Sequence, residues 1–192
     1  MKTKLFLLLS LCLCVSAVNL HAQKSKEKLN PEINKMIKEI SAKRIEADIR
    51  KLVSFGTRNT LSEQDNPTRG IGAARDWLFA EFSKISADCG NCLQVEKQTF
   101  LQPKANRIPE PVNLTNVFAI LKGTSDSDRV YVVSGHYDSM CTSPIDAKCD
   151  APGANDDASG TAVSLELARV MSKRKFDATI VLWQFRAKSK VY

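Results

Sequence analysis

Residues 30–182 predict an α/β fold built on a mixed sheet. Three observations carry that expectation. "RVYVVSG" (129–135), the amphipathic "TAVSLELARVMSKRK" (161–175) and "DATIVLWQF" (177–185) follow one another as strand, helix and strand, the order of a βαβ crossover. Two further strand patterns, "LQVEKQTF" (93–100) and "TNVFAILKG" (115–123), precede that unit. Ahead of them stand three segments with apolar residues at helical spacing.

In chain order, "NPEINKMIKEI" has Asn30 as N-cap and Pro31 at the first helical position, with Ile33, Ile37 and Ile40 on one face. "AKRIEADIRKLVSF" repeats the pattern with Ile45, Ile49, Leu52 and Val53, and Gly56 closes it. "AARDWLFAEFSKI" turns Trp77, Leu78, Phe82 and Ile85 inward. "LQVEKQTF" alternates as a half-buried edge strand does, whereas "RVYVVSG" is nearly all apolar and suits a strand covered on both faces. "TSDSD" is the polar turn between the second and third strands. In the helix after Gly160, Val163, Leu167, Val170 and Met171 form the expected apolar stripe.

Residues 1–22 read as a secretory signal peptide: the basic start "MKTK", the apolar "LFLLLSLCLCVSAV", and a small residue for cleavage at Ala22. The apolar run is shorter than the roughly 20 residues of a membrane span. The expected product is secreted or periplasmic, with no membrane association after cleavage. Lys2 and Lys4 account for two of the seven net positive charges. Arg186, Lys188 and Lys190, in a tail without acids, account for three more. No basic face with interleaved aromatics exists, so nucleic-acid binding has no support. Cys89, Cys92, Cys141 and Cys149 read first as disulfides in an exported chain, and a bridge between Cys141 and Cys149 would stiffen the loop they bracket. "CGNC" (89–92) also reads as a redox or zinc pair, but a structural zinc needs four ligands and no second CxxC or His pair exists.

The stretch "GHYDSMCTSPIDAKCDAPGANDDASG" (135–160) lies where ligands of an α/β sheet sit, past the carboxyl end of a strand. His136 and Asp138 are two apart and point the same way as the strand leaves the sheet. One imidazole nitrogen can bind metal while Asp138 accepts the N–H of the other, fixing the tautomer. Asp156 enters from a Gly-bounded turn before a helix, and a carboxylate can bridge two cations where an imidazole cannot. Each motif alone has a plainer reading, a hydrogen-bonded surface His and an Asx turn capping a helix. Together, at one strand end, they point to metal. Asp146 and Asp150 read as solvated loop acids. Arg58 in "GTRNT" has two readings, lining a pocket or capping the preceding helix end, and the cap is favoured.

"VVSGHYDS" and "APGANDDASGTAVSLELARV" resemble the secreted zinc aminopeptidase family, which includes bacterial leucyl aminopeptidases. "RIEADIRKLVSFGTRNT" and "VNLTNVFAILKG" resemble its lead-in helix and early strands, so the resemblance covers roughly residues 36–182. It implies a phosphorylase/hydrolase-like three-layer α/β sandwich with a mixed, mainly parallel sheet, here truncated after the first βαβ unit. It implies two zinc ions, with His136 a ligand of one, Asp156 bridging both, and Asp138 orienting His136. Asp157 matches the position after an often cis non-proline peptide bond. The implied reaction removes N-terminal residues from peptides with a free N-terminus. A metal-activated water attacks, and a Glu acts as general base.

The chain departs from that pattern after "ATIVLW". The family's Glu-Glu pair, a further carboxylate and a second His are absent, and His21 is the only other histidine. The zinc site is therefore incomplete, and the chain is expected to be inactive as written. Read one base out of frame from Leu182, the permitted codons can spell Val-Ala-Val-Ser-Gly-Glu-Glu-Gln-Gly-Leu, which restores the missing motif. The expected organisation is a signal peptide (1–22), the N-terminal part of a zinc peptidase domain (23–182) and an out-of-frame tail (183–192). "ATIVLW" is then expected to be an uncovered apolar edge. The alternative is a non-catalytic remnant or partner-binding module exposing a sheet edge. Relatives of the same fold that act as carboxypeptidases or cyclise N-terminal glutamine are a further possibility.

Overall fold

The computed structural model describes residues 30–186. The signal segment with His21, residues 23–29, and residues 187–192 of the expected tail lie outside the described residues. The chain divides into two compact units, residues 1–35 and 36–192. Of the first, only the opening of helix α1 (Pro31–Glu39) is described. Asn30 Oδ1 accepts the Glu32 N–H at 2.8 Å, the N-cap expected there. The face shared by Ile33, Ile37 and Ile40 is exposed.

In the second unit, α2 (Ala42–Ser54) starts at Ser41, whose hydroxyl accepts the Arg44 N–H, and stops at Gly56 with φ +71°. Helix α3 (Gly70–Asp88) starts three residues before the "AARDW" pattern. Its first N–H groups are satisfied by a distant loop rather than by a local cap. Ser62 Oγ takes the Ile71 N–H at 2.9 Å, and the Glu63 carbonyl takes that of Gly72 at 3.0 Å. No local signature marks such a start.

Strands β1 (Leu93–Gln102), β2 (Val112–Leu121), β3 (Asp126–His136) and β4 (Ala178–Phe185) form one sheet among the described residues, in the order β1-β2-β4-β3. β1–β2 and β2–β4 are antiparallel, and β3–β4 is parallel. The sheet is mixed as expected. Its parallel share here is a single pair, supplied by the crossover through α4 (Ser159–Met171). Val117, Ala119 and Leu121 of β2 with Ile180 and Leu182 of β4 form one sheet face. That face packs against Leu78 and Phe82 of α3 and Leu165 and Ala168 of α4. The described residues thus show the sheet and one helical layer of the expected sandwich. On the opposite face Phe118 and Trp183 stack at 4.8 Å.

Three expectations need correction. β4 is not an uncovered edge: the crossover inserts it between β2 and β3, and Ala178 through Leu182 are all buried. Burying each of Ile180, Val181 and Leu182 is worth about 1.5–3 kcal/mol. The uncovered apolar strand is β3, where Val130, Tyr131 and Val132 are 51%, 57% and 56% exposed. Its composition suggested cover on both faces, but strand order places it at the margin. In α4 only Val163 of the expected stripe faces out: Val170 is buried and Leu167 and Met171 pack against the core, beside the buried Ala162, Leu165 and Ala168. This helix is clasped on two sides, by the sheet and by α2. On the α2 side the buried Glu166 carboxylate accepts from the Ser41 N–H at 2.8 Å and from Arg44 Nε at 3.1 Å.

Candidate metal centre

β3 ends at His136, and the next three residues leave the sheet fully enclosed. The Tyr137 N–H bonds the Phe185 carbonyl at 2.9 Å, which keeps the chain beside β4 past the strand end. The Tyr137 hydroxyl donates to the Thr115 carbonyl inside the core. Asp138 has no exposed surface. Its Oδ1 lies 3.1 Å from His136 Nδ1, and its Oδ2 accepts the Thr60 hydroxyl at 3.1 Å. The imidazole orientation is thereby set from beneath.

With Nδ1 committed to Asp138, Nε2 is the nitrogen turned outward. It meets Asp156 Oδ1 at 2.8 Å. The Asp156 side chain is 81% exposed, so the pair opens to solvent. Asp156 and Asp157 divide the labour of "NDDASG". The peptide bond between them is cis, and their side chains turn to different tasks. Asp157 Oδ1 caps α4 by accepting the Gly160 N–H at 2.9 Å, while Oδ2 accepts the His136 N–H at 3.1 Å. The helix-cap reading of the motif therefore holds for Asp157, while Asp156 turns to His136. Two glycines make room for this. A Cβ on Gly135 would lie 2.7 Å from Thr161 N, and one on Gly160 would collide with the Asp157 carboxylate.

Arg58 does more than the expected cap. It is buried, and its guanidinium donates to the carbonyls of Tyr137 (2.7 Å), Leu52 (3.0 Å), Pro152 (2.8 Å) and Gly153 (3.0 Å). It joins the end of α2, the exit from β3 and the turn that delivers Asp156. Burial brings its pKa down to about 10, against the opposing pull of Asp138 and Asp157, so it stays charged at neutral pH. Thr60, the bridging role of Arg58 beyond its cap and the bond from Asp157 to the His136 N–H were missed in the sequence. A lone arginine whose four acceptors come from three separate segments has no periodic signature.

The loop between Asp138 and Asp156 is stapled by a Cys141–Cys149 disulfide, and Cys89–Cys92 is bridged as well. Asp146 accepts the N–H groups of Lys148 and Cys149, and Asp150 pairs with Arg69 at 3.0 Å. Both loop acids therefore have local partners. Cys141, Asp146 and Cys149 cluster closely enough to suggest a cation site, but the disulfide consumes both thiolates.

The donor set can now be tested against a metal. His136 Nε2 and Asp156 Oδ1 converge on one exposed point, with a carboxylate behind the imidazole, as two ligands and an orienting group would. Zinc takes at least three protein ligands. Asp157 Oδ2, 4.0 Å from Nε2, is occupied with backbone N–H groups. The described residues fit part of a metal centre.

Residues 116–187 match peptidase family M28. The matched segment contains His136, Asp138 and Asp156. Over 151 residues the chain is 54% identical to a "probable zinc metalloprotease" of Leptosphaeria maculans, covering 79% of this chain and 35% of that protein. It is 29% identical over 149 residues to "Leucine aminopeptidase 1" of Pyrenophora tritici-repentis, covering 78% of this chain and 34% of that protein. The chain thus spans about a third of the length of the curated relatives it matches. Among solved structures, LapB from Legionella pneumophila matches with a TM-score of 0.60 at 21% identity, over 84% of this chain and 39% of that one. A Zn-dependent exopeptidase from Parabacteroides distasonis matches with a TM-score of 0.56 at 18% identity, over 76% and 47%. These two likenesses show a shared α/β fold.

Proposed function

We propose that this chain carries the N-terminal portion of a two-zinc aminopeptidase of the M28 type, exported after loss of residues 1–22, whose substrates are peptides with a free N-terminus. The observation that carries the reading is the convergence of His136 Nε2 and Asp156 Oδ1 at 2.8 Å, with His136 Nδ1 held by Asp138. The relative named a leucine aminopeptidase supports the exopeptidase class. His136 and Asp156 would hold zinc, which as a bound ion supplies charge to polarise a carbonyl and to acidify water. Asp138 keeps the imidazole in the tautomer that leaves Nε2 for the metal. Asp157 and Arg58 hold the two segments that bring His136 and Asp156 together. The described residues contribute no carboxylate positioned as general base, and the chain alone is expected to be inactive.

Zinc competition against a chromogenic chelator, run beside leucine p-nitroanilide hydrolysis, tests this. Wild type should bind zinc without turnover. His136→Ala and Asp156→Asn should abolish binding, and Asp138→Asn should weaken it about tenfold. Turnover lost in Asp156→Asn would overturn the inactivity, and absence of zinc binding by wild type would overturn the metal reading. A second reading, a non-catalytic module that presents a sheet edge, is favoured by the exposed Val130–Val132 run.

A further inference from the structure

The end of the sheet opposite His136 holds a second feature that the peptidase reading leaves unused. An open cavity of about 840 Å³ lies between the last turns of α3 and α4 and the end of β2. Five cations line it, Lys122, Arg169, Lys173, Arg174 and Lys175, against one carboxylate, Asp88. Arg169 is paired with Asp48 and Glu166, and Lys173 and Arg174 with Glu39. Lys122 and Lys175 have no carboxylate within ion-pair distance among the described residues, so the cavity keeps a positive surplus. The Cys89–Cys92 disulfide forms part of the wall, and both cysteines are partly exposed.

We propose that this cavity is a thiol–disulfide exchange site for small anionic thiols, with Cys89–Cys92 as the reacting bridge. The thiolate of the incoming molecule attacks Cys92 Sγ, the Cys89–Cys92 bond breaks, and Cys89 leaves as a thiolate. Cys89 is the leaving group because the Cys92 N–H points at its sulfur, 3.3 Å away, and stabilises the developing charge. A second thiolate then attacks the mixed disulfide at the incoming sulfur and releases Cys92. Two thiols are oxidised to one disulfide, the bridge gains two electrons, and the protons lost by the thiols are balanced as the cysteines protonate. Cys89 follows the C-terminus of α3, whose dipole disfavours a thiolate there. The lysines supply the counter-charge and concentrate anions at the bridge.

The molecule contains its own reference. The Cys141–Cys149 bridge sits in a loop where Asp146 and Asp150 face Lys148 and Arg69, a balanced set. The test is differential alkylation and mass spectrometry of the purified chain during partial reduction by 2-mercaptoethanesulfonate or by cysteamine. Taking the rate at Cys89–Cys92 over that at Cys141–Cys149 cancels the intrinsic reactivity of each thiol. This ratio should be about fivefold higher for the anionic reagent at low salt and should collapse at high salt. The preference should vanish in the surface variant Lys122→Glu/Lys175→Glu, and the trapped mixed disulfide should sit on Cys92. A ratio indifferent to thiol charge would overturn the proposal. So would a Cys89–Cys92 bridge that resists both reagents while the fold persists by circular dichroism, leaving it a staple between α3 and β1. Neither readout involves zinc or peptide hydrolysis.

Discussion

The two margins of the sheet are composed differently. β1 alternates and is mostly exposed, with Glu96, Lys97, Gln98 and Thr99 along its middle. It is also tied down: Lys97 Nζ bonds Asp76 of α3 at 2.7 Å and lies 4.6 Å over the Phe79 ring. β3 presents Val130, Tyr131 and Val132 at its margin, and its charges gather at its start, where Arg129 pairs with Asp126 at 3.2 Å. Polar side chains blunt the middle of one edge against pairing with other chains, and Phe100 and Leu101 are exposed only toward its end. The other keeps the composition of a strand flanked on both sides. What separates them is thus not position in the sheet but how each sequence deals with an open row of backbone groups.

The largest expected effect uses the interior strand as the yardstick. Leu182→Ala in β4 should cost about 3 kcal/mol by urea denaturation, and Val132→Ala in β3 under about 0.5 kcal/mol. Equal losses would mean that β3 is covered in solution, and the contrast would fail. Next comes association. Val132→Lys should shift the chain toward monomer in sedimentation velocity, while Leu101→Lys on the β1 edge should change little. If both lysines act alike, general charge rather than the β3 edge governs solubility.

The smallest effect sharpens the β1 side. Arg75 and then Lys97 hold the Asp76 carboxyl at about 2, below its ordinary 3.8. A depressed carboxyl stabilises the fold above its unfolded pKa and loses that contribution as pH falls through about 2. Because Asp76 is half exposed, the gain is about 0.5 kcal/mol. Asp76→Asn should remove it at neutral pH and leave wild type and variant equally stable below pH 2, as read from melting temperatures across pH. A variant penalty that persists in acid would assign the effect to packing.

Much was readable without coordinates, because local physics decides it. The helical spacing of Leu78, Phe82 and Ile85, the Asn30 cap, the Gly56 stop and the strand–loop–helix–strand order each depend on neighbours within a few residues. The pairing of His136 with Asp138 follows from the two-residue repeat of a strand, and the meeting with Asp156 from a loop that stays at the sheet end where β3 stops and α4 begins. Tertiary structure alone decided which strand became the margin. Periodicity reports how much apolar surface a strand carries, whereas strand order depends on where the crossover lands. It alone separated the tasks of Asp156 and Asp157, and it alone buried Arg58 beneath the site. A guanidinium can be buried only where acceptors surround it, and those carbonyls belong to residues 52, 137, 152 and 153, segments that meet only in the folded chain.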